Sequence, residues 1–146
     1  MRFRSAATVL GLVLAVAVLA GGPHVLEAKG SQGWMRYWGD GTVHLSGRGT
    51  LTVKNASNVQ VTMDGKYGEV QNIADGAVYT HFEGSLTSIG MGGRFELRGW
   101  DLAMHCKGKG HAWFQGMGAT SVDGGADQPW PSDQLHNKWL KVGFDD

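Results

Sequence analysis

Twenty-four of the 146 residues are glycine, and many recur as Gly-x-Gly at the ends of short runs in which apolar and polar residues alternate. Glycine reaches positive φ without steric penalty, so it marks turns, bulges and sharp bends of extended chain. Proline occurs only three times, which sets the chain apart from collagen-like and polyproline sequences. Six Trp, five Phe and three Tyr set it apart from disordered ones. Abundant glycine together with Trp, Val and Leu predicts short strands joined by tight turns.

The alternation begins after Trp34. Val43 and Leu45 point one way, with Thr42, His44 and Ser46 opposite, and Leu51 and Val53 continue the phase. Val59, Val61 and Met63 alternate with Asn58, Gln60 and Thr62. The polar cluster Lys54–Asn58 lies between, so the pattern predicts a hairpin from Gly49 to Met63. A β-rich run covers Ala77 to Phe82. Phe95 and Leu97 alternate with Arg94, Glu96 and Arg98, and Leu102, Met104 and Cys106 with Asp101, Ala103 and His105. Trp100 falls in phase with Leu102. Lys107-Gly108-Lys109-Gly110 reads as a turn, after which His111 to Gln115 returns as a strand. A Pro-led turn of helix is expected at Pro131–Leu135, ahead of a last strand from Lys138 to Val142.

The pattern Gly-x-apolar-x-x-x-Gly-x-Gly occurs three times, at Gly41–Gly49, Gly84–Gly92 and Gly110–Gly118. After the first two, Leu51 and Val53 match Phe95 and Leu97, while Val59, Val61 and Met63 match Leu102, Met104 and Cys106. Gly65 matches Gly108. A solenoid stacks equal rungs, whereas the spacing here is unequal. The expected fold is therefore all-β: an antiparallel β-sandwich or small, partly open barrel built from duplicated Gly-x-Gly hairpins, with a β-solenoid as the alternative.

Arg2 and Arg4 precede an apolar run from Ala6 to Ala20, broken only by Thr8 and Gly11. A bilayer of roughly 30 Å takes about 20 apolar residues to cross, so this run reads as a secretory signal peptide. Residues 1–28 form the signal, cut after Ala20 or Ala28, and residues 29–146 form a single glycine-rich domain. Export to the periplasm, the cell envelope or the exterior follows, with the membrane met only in transit. The length suffices for a modest core without staples, and the single cysteine, Cys106, excludes an intramolecular disulfide.

Lys+Arg and Asp+Glu both number 13, so the chain has no basic excess for nucleic acid or for an anionic membrane surface. No Gly-x-Ser-x-Gly occurs, and the glycine loops lack the strand–loop–helix context of a phosphate site. No cofactor is expected. His105, Cys106 and His111 are weak metal candidates: adjacent residues of a strand face opposite ways, and two ligands do not make a zinc site. An aromatic surface is the stronger idea. Trp34, Tyr37 and Trp38 cluster, and Trp113 falls opposite in phase to Ala112 and Phe114. Exposed rings on a β-face stack on sugars or on another protein.

The Gly-x-Gly segments between Gly39 and Gly118 resemble glycine-rich exported bacterial β-repeat proteins and, more loosely, β-repeat adhesin heads. The resemblance implies an exported β-domain and assigns no functional residue. The expected function is a non-enzymatic envelope or extracellular protein acting by surface contact with a cell-envelope glycan or protein. The alternatives are a carbohydrate-binding module using exposed Trp and Tyr, and a hydrolase or metal enzyme with a His/Asp/Glu cleft.

Overall fold

The computed structural model describes residues 23–132 and 136–144. The signal segment up to residue 22 and most of the expected helical turn at Pro131–Leu135 lie outside the described residues. The elements are β1 (His24–Lys54), a 3₁₀ turn (Ala56–Asn58), β2 (Val59–Lys66), β3 (Val70–Ile73), β4 (Gly76–Val122), β5 (Gln128–Pro129) and β6 (Leu140–Gly143). They form one antiparallel sheet of six strands, not closed into a barrel, and the described residues include no α-helix. Antiparallel pairing throughout replaces the parallel rungs of a solenoid.

The pairing register reveals how two such long strands fit in a small protein. Leu26 pairs with Val122 and Lys54 with Arg94; the ladder resumes from Val59↔Gly90 to Lys66↔Glu83 and ends at Val70↔Tyr79 and Ile73↔Gly76. Residues 26–122 are thus one hairpin with its tip at Ala74 and Asp75. The same β1 also pairs along its other edge, from His24↔Gly108 through Gly39↔Gly93 to Lys54↔Gly76. Gly39 lies opposite Gly93 while Gly41 lies opposite Gly108. A straight strand rising about 3.3 Å per residue would hold Gly93 and Gly108 roughly 50 Å apart. The hairpin is therefore wound back on itself, with residues 94–108 lying between residues 24–39 and residues 41–54.

The bends fall where glycines oppose glycines. Gly33 pairs with Gly99 and Gly116, Gly41 with Gly90 and Gly108, and Gly47 with Gly84. The bend at residues 90–93 is pinned by side chains: the Gly92 N–H donates to Asp40 Oδ1 (2.8 Å), and Asn55 Nδ2 donates to the Gly92 carbonyl (2.7 Å).

Winding turns the apolar face of the sheet inward. Val43, Leu45, Leu51, Val53, Phe95, Leu97, Leu102, Met104 and Cys106, the inward residues of the alternation, are all buried in one cluster, and Val59, Val61 and Met63 pack against it. Trp130 closes one end, stacked on Phe114 at 5.2 Å and donating from Nε1 to Thr120 Oγ1 (2.8 Å). The expected last strand forms as β6, against residues 111–114 of β4.

Two local expectations are corrected. Residues 49–63 do not form a hairpin of their own: Leu51 pairs with Leu97 and Tyr79, while Val61 pairs with Ser88. Asn55, left-handed at φ 54°, and the following 3₁₀ turn carry the chain to another part of the sheet instead of reversing it. Nor is Lys107–Gly110 a reversal. It lies within β4, and Gly108 and Gly110 face Gly41 and Gly39 at a bend. Segments that look alike in sequence are in several cases pairing partners: Leu51 faces Leu97 and Val53 faces Phe95, whereas Gly65 faces Gly84 and not Gly108.

Candidate binding face

In residues 34–38, Met35 and Tyr37 are buried, so Trp34, Arg36 and Trp38 point outward. The same logic turns Arg94, Glu96 and Arg98 outward around Phe95 and Leu97, Trp113 outward between Ala112 and Phe114, and Thr52 and Lys54 outward beside Leu51 and Val53. The register brings these sets together. Arg36 lies between Glu96 and Trp113, Trp38 between Arg94 and His111, and Trp34 between Arg98 and Gln115. Thr52 and Lys54 follow on the far side of Glu96 and Arg94.

The face is held by charge and by rings. Arg36 Nε donates to Glu96 Oε2 at 2.6 Å. The Arg36 guanidinium also lies over Trp34 (4.8 Å) and Trp139 (4.6 Å), whose rings are 5.0 Å apart. Arg98 covers Trp34 at 4.8 Å and Arg94 covers Trp38 at 4.3 Å. Such contacts are each worth about 0.5–1 kcal/mol at exposed sites, so they order the arginines without locking them. An open groove of about 650 Å³ runs over Arg36, Trp38, Thr52, Lys54, Arg94, Glu96 and Trp113. Trp38 keeps 45% of its surface exposed.

Trp34, Trp38 and Trp113 therefore share one face. Tyr37, grouped with them in the sequence reading, points the other way. It is buried, stacked with Phe95 (6.2 Å) and packed against Phe144 (6.1 Å), because alternation opposes it to its two tryptophan neighbours. Burial, then the neighbouring Cys106 and Asp40, drives its hydroxyl pKa well above the ordinary phenol value. Arg36, Arg94, Glu96 and Trp139 are the residues that sequence reasoning missed. The outward phase of Arg94 and Glu96 was legible, but their adjacency to Trp38 and Arg36 rests on long-range register.

The metal candidates do not converge. Cys106 faces the core, opposite Leu26 and Val43, where burial pushes its thiol pKa up. His105 points outward, its Nε2 3.6 Å from Glu27 Oε2. His111 lies beside Trp38 and Trp113. Among the described residues no group of three or more His, Cys, Asp and Glu side chains could hold a metal ion.

Trp100 is 50% exposed although the alternation phases it with buried Leu102. Asp101 is left-handed at φ 55°, where Gly47 opposes two residues of β4, and this bulge flips the side chains on either side of it. One border of the sheet is covered by β5 and β6, whereas at the other β2 and β3 pair only with β4.

No protein-family model matches the chain, and neither a curated protein nor a solved structure matches it.

Proposed function

We propose that this is an exported, non-enzymatic protein that acts by surface contact, that its contact surface is the Trp/Arg face, and that its ligand is a carbohydrate. The observation that carries the reading is the convergence of Trp38 and Trp113 with Arg36, Glu96 and Thr52 around one open groove. Indole rings offer flat apolar surface to sugar C–H groups, and the charged and hydroxyl side chains between them offer donors and acceptors to sugar hydroxyls. Among the described residues Glu96 is the only carboxylate lining the groove and is engaged by Arg36, whereas glycoside hydrolysis ordinarily uses two. The wound hairpin, one sheet turned around its own apolar core, is read as a β-sandwich whose outer face presents the site. Export rests on the charged start and short apolar run. A cut after Ala20 fits this better than one after Ala28, since Leu26 and Ala28 are both buried.

The test is a titration of intrinsic tryptophan fluorescence with a panel of cell-wall and extracellular glycans, using the protein and its Trp38→Ala/Trp113→Ala variant. A saturable shift with at least one glycan, lost in the variant, is the expected result. No shift with any glycan, or an unchanged shift in the variant, overturns the reading.

A further inference from the structure

Resting on that reading, we infer that the ligand is an acidic polysaccharide bearing repeated carboxylate or sulfate groups. The cations of this face outnumber its anions. Arg36, Lys54, Arg94 and Arg98 stand on three neighbouring stretches of strand around Glu96, the one carboxylate among the described residues lining the groove, which Arg36 already engages. Lys141, beyond Trp113, adds another positive charge. The whole chain has a formal net charge of zero, so this imbalance belongs to the face and not to the protein at large. Away from this face some charges meet opposite partners, Arg48 with Asp101 at 2.8 Å, Lys66 with Glu83 at 3.6 Å, and His24 with Asp123 at 2.7 Å. Lys29, Lys107 and Lys109 make no ion pair among the described residues, but they stand apart from the groove.

The free cations are also presented for planar anions. Neither Arg94, Arg98 nor Lys54 has a carboxylate within ion-pair distance among the described residues. The Arg94 and Arg98 guanidiniums lie over ring faces, and a guanidinium against a ring still offers N–H donors in a fork that matches a carboxylate or sulfate. Outward positions on one strand repeat every two residues, about 6.7 Å, so Arg94 and Arg98 stand roughly 13 Å apart. That spread suits charges recurring along a polymer better than one small anion. Nucleic acid shares the repeating charge, and the single-stranded DNA arm of the experiment separates the two polyanions.

The experiment titrates the purified protein with matched pairs: polygalacturonate against its methyl ester, and dextran sulfate against dextran, with single-stranded DNA as a further arm. The expected result is binding to at least one acidic member, at least ten-fold tighter than to its neutral counterpart and weakening as NaCl rises from 50 to 500 mM. Arg94→Gln/Lys54→Gln should weaken it ten-fold or more with the circular dichroism unchanged, and Glu96→Gln should strengthen it several-fold. Equal binding of acidic and neutral members overturns the inference while leaving the carbohydrate reading intact. Tighter binding of DNA than of either acidic glycan overturns it in favour of nucleic acid. Binding of no polysaccharide overturns both.

Discussion

Gly49 and Gly99 face each other across the sheet with their backbones in contact. A Cβ on Gly99 would collide with the Arg48 carbonyl oxygen, and one on Gly49 with that of Arg98. Both have positive φ, 146° and 157°. Two strands bend together here, and only hydrogen atoms fit between them.

Gly99→Ala is therefore expected to cost about 2–4 kcal/mol, from the clash and the strained φ together. Gly124 also has positive φ (73°), but nothing lies within 4 Å of an added Cβ. Gly124→Ala should cost only about 1 kcal/mol, the left-handed penalty alone. Urea denaturation of the two variants checks the difference; equal losses would mean that close approach contributes nothing at the bend.

Trp130 occupies space that Gly30 and Gly118 leave open, since a Cβ on Gly30 would run into its ring. Its indole N–H is satisfied by Thr120, which is wholly buried. Thr120→Val keeps the shape and strands that donor, so a loss of about 1–3 kcal/mol is expected. Trp130→Ala should cost about 3–5 kcal/mol by opening a cavity. Thermal or urea unfolding measures both, and a neutral Thr120→Val would show that the indole N–H finds another acceptor.

Asp101 holds the bulge that turns Trp100 outward, in a backbone conformation that β-branched residues resist. Asp101→Val should lose about 1–2 kcal/mol. Asp101→Gly should stay within about 1 kcal/mol of the parent, because relief at φ 55° offsets the loss of an exposed pair with Arg48 that is itself worth little. Denaturation midpoints rank the two variants, and the opposite order would place the bulge's stability in the carboxylate.

Cys106 and Tyr37 predict an alkaline limit to stability. The ordinary value for the thiol is 9.0, and burial raises it in the folded chain. The unfolded chain then ionises first. The thiol's contribution is complete below pH 9 and is lost as pH rises above it, at up to about 1.4 kcal/mol per pH unit. Tyr37 adds a second loss above its ordinary 10.0. Unfolding followed between pH 8 and 11 should show this decline, and Cys106→Ala should flatten its first part. A chromogenic thiol reagent should react with the folded protein only at the rate of unfolding; rapid labelling at pH 8 would contradict the burial of Cys106.

Period-two alternation is local, since successive side chains of extended backbone must face opposite ways, and so it could be read directly. It predicted an all-β chain and an inward row that includes Val43, Leu45, Leu51, Val53, Phe95, Leu97, Leu102 and Met104, all of which are buried. It also turned Trp113 away from Ala112 and Phe114. It failed at Trp100, where one left-handed aspartate resets the phase at no visible cost to the pattern.

Which strands become neighbours was decided by tertiary structure alone. Arg36 and Glu96 are 60 residues apart in sequence and 2.6 Å apart in space. Glycines announce that the chain can bend, but they carry no side chain to say in which direction or against which partner. The winding of the hairpin, and with it the meeting of Trp38, Arg94, Arg36 and Trp113 on one face, comes from burying both apolar rows at once. No single segment can express that requirement.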